Sequence, residues 1–421
     1  MPEVSASPPM PSPAELRFED PPRSRDRFEA ARLRAAGIDP SASARLVEFF
    51  DPSALDRPLA SGPIRVEYSL DEALTEQVFE ILRRGRVVSG HAIVSDPRSG
   101  RLLAYVSTDP EGLPGHKSYP AASIVKVLTA AAVLESSGID ANPRCVYSGN
   151  PYRLSRRRLD RPRSGREASL SRALATSNNQ CFAQWALHDL GEDVLRETLE
   201  RFGWLASPAP GHSAGRMEAP ETRLDLGRLG SGLDGVRVTP LHVAQLGGIL
   251  AHGEWVEPWW VDRVVDLEGR SLELPPRTPP RRVLAPEIAA RLRSMLVATT
   301  TRGTAKRAFR DRRRRPLLGD VAVAGKTGNL TGSDPYGRYE WFVGVAPAED
   351  PTVAVTVLQL QSHLWWARSS ELAARILRSV FCERGSCRPE LSHRWTGDLG
   401  SWTSPLLVSD LARGTSLDEE L

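Results

Sequence analysis

Tyr119-Pro120-Ala121-Ala122-Ser123-Ile124-Val125-Lys126 leads into an apolar run that reaches Leu134 with only Lys126 and Thr129 interrupting it. A pattern apolar on every face predicts a buried helix, and Gly138 can end it. Ser123 then lies at the first turn, where backbone N–H groups are unpaired and the helix dipole is positive. Lys126, three residues on, shares its face. A hydroxyl and an amine side by side at the start of a greasy helix describe a nucleophile and its base. The bland alternative is an N-cap serine beside a snorkelling lysine. The lysine census favours chemistry. Lys117, Lys126, Lys306 and Lys326 are the only lysines in a Lys+Arg total of 55, which leaves 51 arginines. Arginine cannot deprotonate, whereas a lysine can be tuned into a base. Of the four, only Lys126 has a serine three residues before it.

Composition bounds the rest. The 421 residues are 40% apolar and 25% charged, an ordinary globular balance with length for one large domain or two. A net charge of +3 selects no polyanionic partner, and no nucleic acid is expected. No run approaches the roughly 20 apolar residues of a membrane span. The Pro/Ser-rich residues 1–13 lack the cationic and apolar regions of a signal peptide. Four cysteines are too few for a disulfide scaffold. Cys382 and Cys387 are near enough to pair in an oxidising compartment, while Cys145 and Cys181 read as ordinary thiols. The eight histidines are scattered and no metal-ligand spacing occurs, so neither metal nor cofactor is expected.

Along the chain, residues 1–62 are rich in Pro, Arg, Ser and Ala and read as a linker or disordered arm, with a short helix over 27–36. Order begins near Ile64. Ser69-Leu70-Asp71-Glu72 has the form of a capping box and opens a helix to Arg84 with Leu74, Val78, Ile81 and Leu82 as its apolar stripe. Strands over 91–95 and 101–107 flank the hairpin connection Asp96-Pro97-Arg98-Ser99-Gly100. Residues 143–168 read as irregular, with Arg156, Arg157 and Arg158 solvated, as are the arginines of 310–315. Helices are expected over 170–175, 180–190, 192–202, 240–252 and 286–298; Thr239 and Pro240 mark the start of the fourth. Strands return over 321–328, 339–346 and 352–361, then a helix over 367–381. The fold class is α+β: an antiparallel sheet built from both chain ends, flanking helices, and an inserted mostly helical lobe over about 118–315. The domain covers 63–387, and 388–421 read as a weakly structured tail.

Three pieces stand in order: Ser123-x-x-Lys126 at a helix start, Ser177-x-Asn179 between helices, and Lys326-Thr327-Gly328 on a strand. Each alone has a structural reading, as a helix cap or an edge lysine before a turn. Together they form the set found in serine β-lactamases and penicillin-binding proteins. Over about 65–381 the chain resembles the penicillin-binding transpeptidase domain. Residues 69–71 resemble its opening and 91–107 its first hairpin. Val238-Thr239-Pro240-Leu241, Gly303-Thr304-Ala305 and Trp341-Phe342-Val343-Gly344 fall where that family places similar segments.

The resemblance implies a D,D-transpeptidase that cross-links peptidoglycan stem peptides and is inhibited covalently by β-lactams. Ser123 would be the nucleophile, Lys126 its base, Ser177 a proton relay, and Asn179 a holder of Lys126 and substrate. Lys326, Thr327, Gly328 and Asn329 would bind substrate, with the Ser123 and Asn329 N–H groups as oxyanion hole. It implies a place on the outer side of the cytoplasmic membrane and membrane-anchored cell-wall synthesis proteins as partners. His116 and Lys117 read as loop residues. Two departures stand out: Ala122 replaces a common Gly, and Asn329 replaces the usual Thr or Ser. The alternatives are a D,D-carboxypeptidase, a β-lactamase, or a catalytically silent β-lactam-binding sensor or scaffold. Glu221-Thr222-Arg223-Leu224-Asp225 comes near the E-x-x-L-N element of one β-lactamase family, with Asp225 in place of Asn.

Overall fold

The computed structural model describes residues 21, 23, 45–50, 64–265, 269–361 and 366–396. Its central sheet has five antiparallel strands in the spatial order Ala324–Gly332, Gly337–Ala346, Val353–Gln361, Ser89–Ser95 and Leu102–Ser107. Both ends of the chain therefore build one sheet, as the element order predicts. Side chains alternate across a strand, and here both faces are covered. Along Gly337–Ala346, Tyr339, Trp341, Val343 and Val345 pack in the same cluster as the Ser123 helix. Phe342 and Ala346 pack on the other face with Leu74, Val78 and Leu82 of helix Glu72–Arg84 and with Leu372, Leu377 and Phe381 of helix Ser369–Phe381. Each fully buried Val, Leu or Phe among them contributes about 1.5–3 kcal/mol.

The inserted lobe carries the helices Val125–Ser137, Leu170–Thr176, Asn179–Trp185, Gly191–Arg201, Arg223–Ser231, Pro240–His252 and Pro286–Thr301. Arg223–Ser231 is a helix that Gly227 and Gly230 conceal in the sequence; a capping box between Thr222 and Asp225 starts it. Residues 143–168 are not wholly irregular. Arg144–Tyr147 and Arg166–Ser169 pair as antiparallel strands. That pairing sets Cys145 against helix Asn179–Trp185, where it is disulfide-bonded to Cys181. The reading of these two as ordinary thiols is corrected; a separation of 36 residues hid a contact that only the hairpin creates. Cys382 and Cys387 pair as expected.

Three further expectations change. Asp71, not Ser69, caps the first helix, its carboxylate accepting from the Leu74 N–H at 2.8 Å. Ser69 belongs to strand Ile64–Asp71 and donates to the Leu102 carbonyl instead. The arm is structured at Arg45–Phe50, which pairs with Ile64–Asp71 in an outer sheet completed by Val261–Val265 and Ser271–Leu272. The expected helix over 27–36 lies outside the described residues. Past Arg388, the tail is helical at Pro389–Ser392 and His393–Thr396, and Trp395 belongs to the same core cluster as Phe381; residues 397–421 lie outside the described residues. Among the described residues no helix is long and apolar enough to cross a membrane.

Candidate active site

The serine helix starts as expected but with a tighter first turn. Ala122–Ile124 is a 3-10 turn that continues into Val125–Ser137, and Gly138 at φ 89 ends it. Ser123 caps nothing, which removes its bland reading. Ala122 before it has φ 50, a sparsely populated conformation for a residue with a Cβ. The surroundings hold it there. Ala121 N–H donates to the Val236 carbonyl at 3.0 Å, and the Trp341 indole donates to the Pro120 carbonyl at 2.9 Å. Gly232, at φ +64, lies directly on this turn. A Cβ there would come within 2.1 Å of the Ala122 carbonyl oxygen.

Lys126 is fully buried, and its Nζ donates to Ser123 Oγ at 2.7 Å, Asn179 Oδ1 at 2.8 Å and the Ser231 carbonyl at 2.5 Å. Burial, and next the charge of Lys326, hold its amine well below the ordinary lysine range. Asn179 is fixed in turn, its amide donating to the Tyr152 carbonyl at 2.7 Å. Asn178 between the motif residues caps helix Asn179–Trp185. Ser177 ends the preceding helix in the left-handed conformation, φ 55 and ψ 48. Lys326 reaches it from the sheet, with Nζ 3.1 Å from Ser177 Oγ and 2.7 Å from the Thr327 carbonyl. Burial pushes the Lys326 amine down to about 7.

The motif residues thus meet as two hydrogen-bonded groups, Ser123–Lys126–Asn179 and Lys326–Ser177, coupled through the two lysines. Gly328 lies on the serine turn, where a Cβ would be 3.2 Å from Ile124 and 3.3 Å from Ala122. Thr327 and Asn329 occupy the opposite side of the strand: Thr327 Oγ1 is 2.6 Å from Thr304 Oγ1, and Asn329 Oδ1 accepts from Arg338. The strand itself runs Ala324–Gly332 rather than ending at Gly328, because it pairs along its whole length with Gly337–Ala346. It is the edge of the sheet. Sequence reasoning missed Ser231 and Tyr152, which serve through backbone carbonyls that any residue supplies. It also missed Thr304 and Arg338; the segment around Thr304 is noticeable, but its role is not. His116 and Lys117 take no part in these contacts. Asp225 of the E-x-x-L-N-like segment is used as a helix cap.

Comparison with known proteins points to one family. The family described as the penicillin binding protein transpeptidase domain matches residues 90–381. The chain is similar to "Peptidoglycan D,D-transpeptidase PbpA" of Mycolicibacterium smegmatis, 28% identical over 314 residues, 64% of this chain and 61% of that protein. Its similarity to "Stage V sporulation protein D" of Bacillus subtilis is 24% over 302 residues, covering 63% and 44% of the two. The chain thus spans about three fifths to two thirds of the PbpA relatives it matches. In fold it is similar to the crystal structure of PBPA from Mycobacterium tuberculosis, with TM-score 0.61, 22% identity, and 75% of this chain against 81% of that one covered. An imipenem acyl-enzyme complex of the same protein aligns with TM-score 0.61 at 21% identity, over 75% and 79% of the chains. With most of the described residues matched and the three motifs in contact, the chain belongs to the penicillin-binding protein transpeptidase domain family.

Proposed function

We propose that the chain is a peptidoglycan D,D-transpeptidase that works through an acyl-enzyme on Ser123 and is acylated by β-lactams at the same atom. The observation that carries this is the environment of Lys126. Asn179 Oδ1 and the Ser231 carbonyl can only accept hydrogen bonds. A neutral amine has two hydrogens, and these two acceptors take both. The lone pair then faces Ser123 Oγ, 2.7 Å away. Burial beside a second lysine makes the neutral form accessible.

In this reading Ser123 Oγ attacks the carbonyl carbon of the D-Ala–D-Ala bond while its proton passes to Lys126. The Ser123 and Asn329 N–H groups stabilise the oxyanion. The C–N bond breaks, the leaving nitrogen takes a proton by way of Ser177, and D-Ala departs. An acceptor amine attacks the acyl carbon, gives up its proton and frees Ser123. The donor peptide lies along the free edge of Ala324–Gly332 as an added strand, with Gly328 letting the serine turn sit close against that strand, and Thr327 and Asn329 face its carboxylate end. Two disulfides support an oxidising location in the cell envelope, where membrane-anchored cell-wall synthesis proteins are the expected partners. The names of the relatives support the same substrate.

The β-lactamase alternative lacks support, since Asp225 is occupied as a cap. Incubating the chain with a stem peptide ending in D-Ala–D-Ala and an amine acceptor separates the others. The proposal expects a cross-linked product by mass spectrometry. Hydrolysed donor without cross-link would mean a carboxypeptidase, and an unchanged donor a silent domain.

A further inference from the structure

Arg338 stands in none of the motifs, yet it holds the residue at which the chain departs from its family. Asn329 lies on the edge strand and Arg338 on its neighbour, Gly337–Ala346. The antiparallel register sets Asn329 opposite Glu340 and Thr331 opposite Arg338. Arg338 is therefore the diagonal neighbour of Asn329 on one face, within reach of a long side chain. Its Nε donates to Asn329 Oδ1 at 2.7 Å.

A guanidinium carries only donors, so this bond decides which end of the carboxamide faces where. The oxygen turns to Arg338 and the amide nitrogen turns away. Among the described residues that nitrogen has no partner. Left unanchored, the group could swing its oxygen toward a carboxylate and repel it. The charges nearby favour the same reading. Lys326 is fully buried and its Nζ is engaged by Ser177 and Thr327. Glu340, the anion opposite Asn329, accepts from Arg368 and from the Ser369 N–H, and it also lies in the field of the Arg338 charge. Arg338 is exposed, and a guanidinium keeps its charge at every working pH. With the Thr327 hydroxyl on the same face, the edge presents a hydroxyl, an amide N–H pair and a permanent cation.

We propose that Arg338 is a specificity-determining positioning residue: by anchoring Asn329 Oδ1 it aims the Asn329 amide N–H groups at the terminal carboxylate of the acyl donor, and its guanidinium supplies the attracting charge. This rests on the transpeptidase reading and explains how an asparagine serves where the family uses a hydroxyl.

The test compares second-order acylation rates with benzylpenicillin and with its methyl ester, which lacks the carboxylate charge. In Arg338→Gln the preference for the acid over the ester should shrink roughly 10- to 100-fold, the range for a hydrogen bond to a charged group. Arg338→Lys, which keeps a charge and a donor, should recover most of it. Asn329→Ala combined with Arg338→Gln should lose less than the two single losses multiplied, because one acts through the other. Equal slowing of acid and ester would reveal a merely structural arginine and overturn the inference, as would an unaltered preference in Arg338→Gln. Failure of the unmodified chain to form any adduct at Ser123 would overturn the transpeptidase reading and this inference with it. Normal acylation with an unaltered preference overturns this inference alone.

Discussion

Lys126 has three acceptors within reach of its amine, and only one of them, Ser123, has a proton to give. Charge alone does not use this arrangement; a removable proton does. Lys126→Arg keeps the charge but stays protonated, so acylation by a fluorescent penicillin should fall at least about 10²-fold, the typical loss of a positioned base. Near-normal acylation would return Lys126 to a structural role. The rate should rise with pH through the depressed value of the Lys126 amine. That rise should move to higher pH when the neighbouring Lys326 charge is removed, since that charge is one of its causes.

Lys326 makes the linkage to stability visible. Its folded-state value, about 7, lies below the ordinary 10.5. Between these the unfolded chain binds the extra proton, so stability rises with pH across that window and the full penalty stands below it. A shift of that size is worth at most about 5 kcal/mol, and lost hydrogen bonds to Ser177 and Thr327 offset part. Lys326→Met should therefore stabilise the chain by on the order of 2 kcal/mol at pH 7 and by little at pH 10, while weakening acylation. Denaturant unfolding at both pH values checks this; a loss of stability at pH 7 would contradict it.

At the scale of elements, the serine turn depends on a neighbour without a side chain. Gly232→Ala forces a Cβ onto the Ala122 carbonyl at a positive φ. The left-handed conformation alone costs about 1–2 kcal/mol, and the clash displaces the residue before Ser123. Acylation measured well below the unfolding temperature should drop by more than the stability loss explains. A variant that loses stability but acylates normally would show that the turn yields elsewhere. Sequence made the long elements legible where period and caps agreed. Thr239 and Pro240 located the start of helix Pro240–His252, and Ser123 through Lys126 announced the candidate site. It failed where tertiary pairing overrides local preference. Gly328, Asn329 and Gly332 look like a turn, yet the ladder with Gly337–Ala346 makes them strand. Cys145 and Cys181 looked unrelated because a strand of only four residues gives almost no periodic signal.

At the scale of the whole molecule, the site lies where the free edge of the sheet meets the inserted lobe. The lobe supplies Ser123, Lys126, Ser177 and Asn179, while the sheet supplies Lys326 to Asn329. The element order predicted this division. The outer sheet was not legible, since it pairs Tyr68 with Val261 and no local pattern marks such partners. All of this places one claim at the centre: Ser123, activated by Lys126, forms the acyl-enzyme. Intact mass and peptide mapping after incubation with benzylpenicillin test it most directly. The account predicts one slowly released adduct per chain, on the peptide containing Ser123, and none in a folded Ser123→Ala variant. A label that persists in that variant, or maps to another residue, would contradict it.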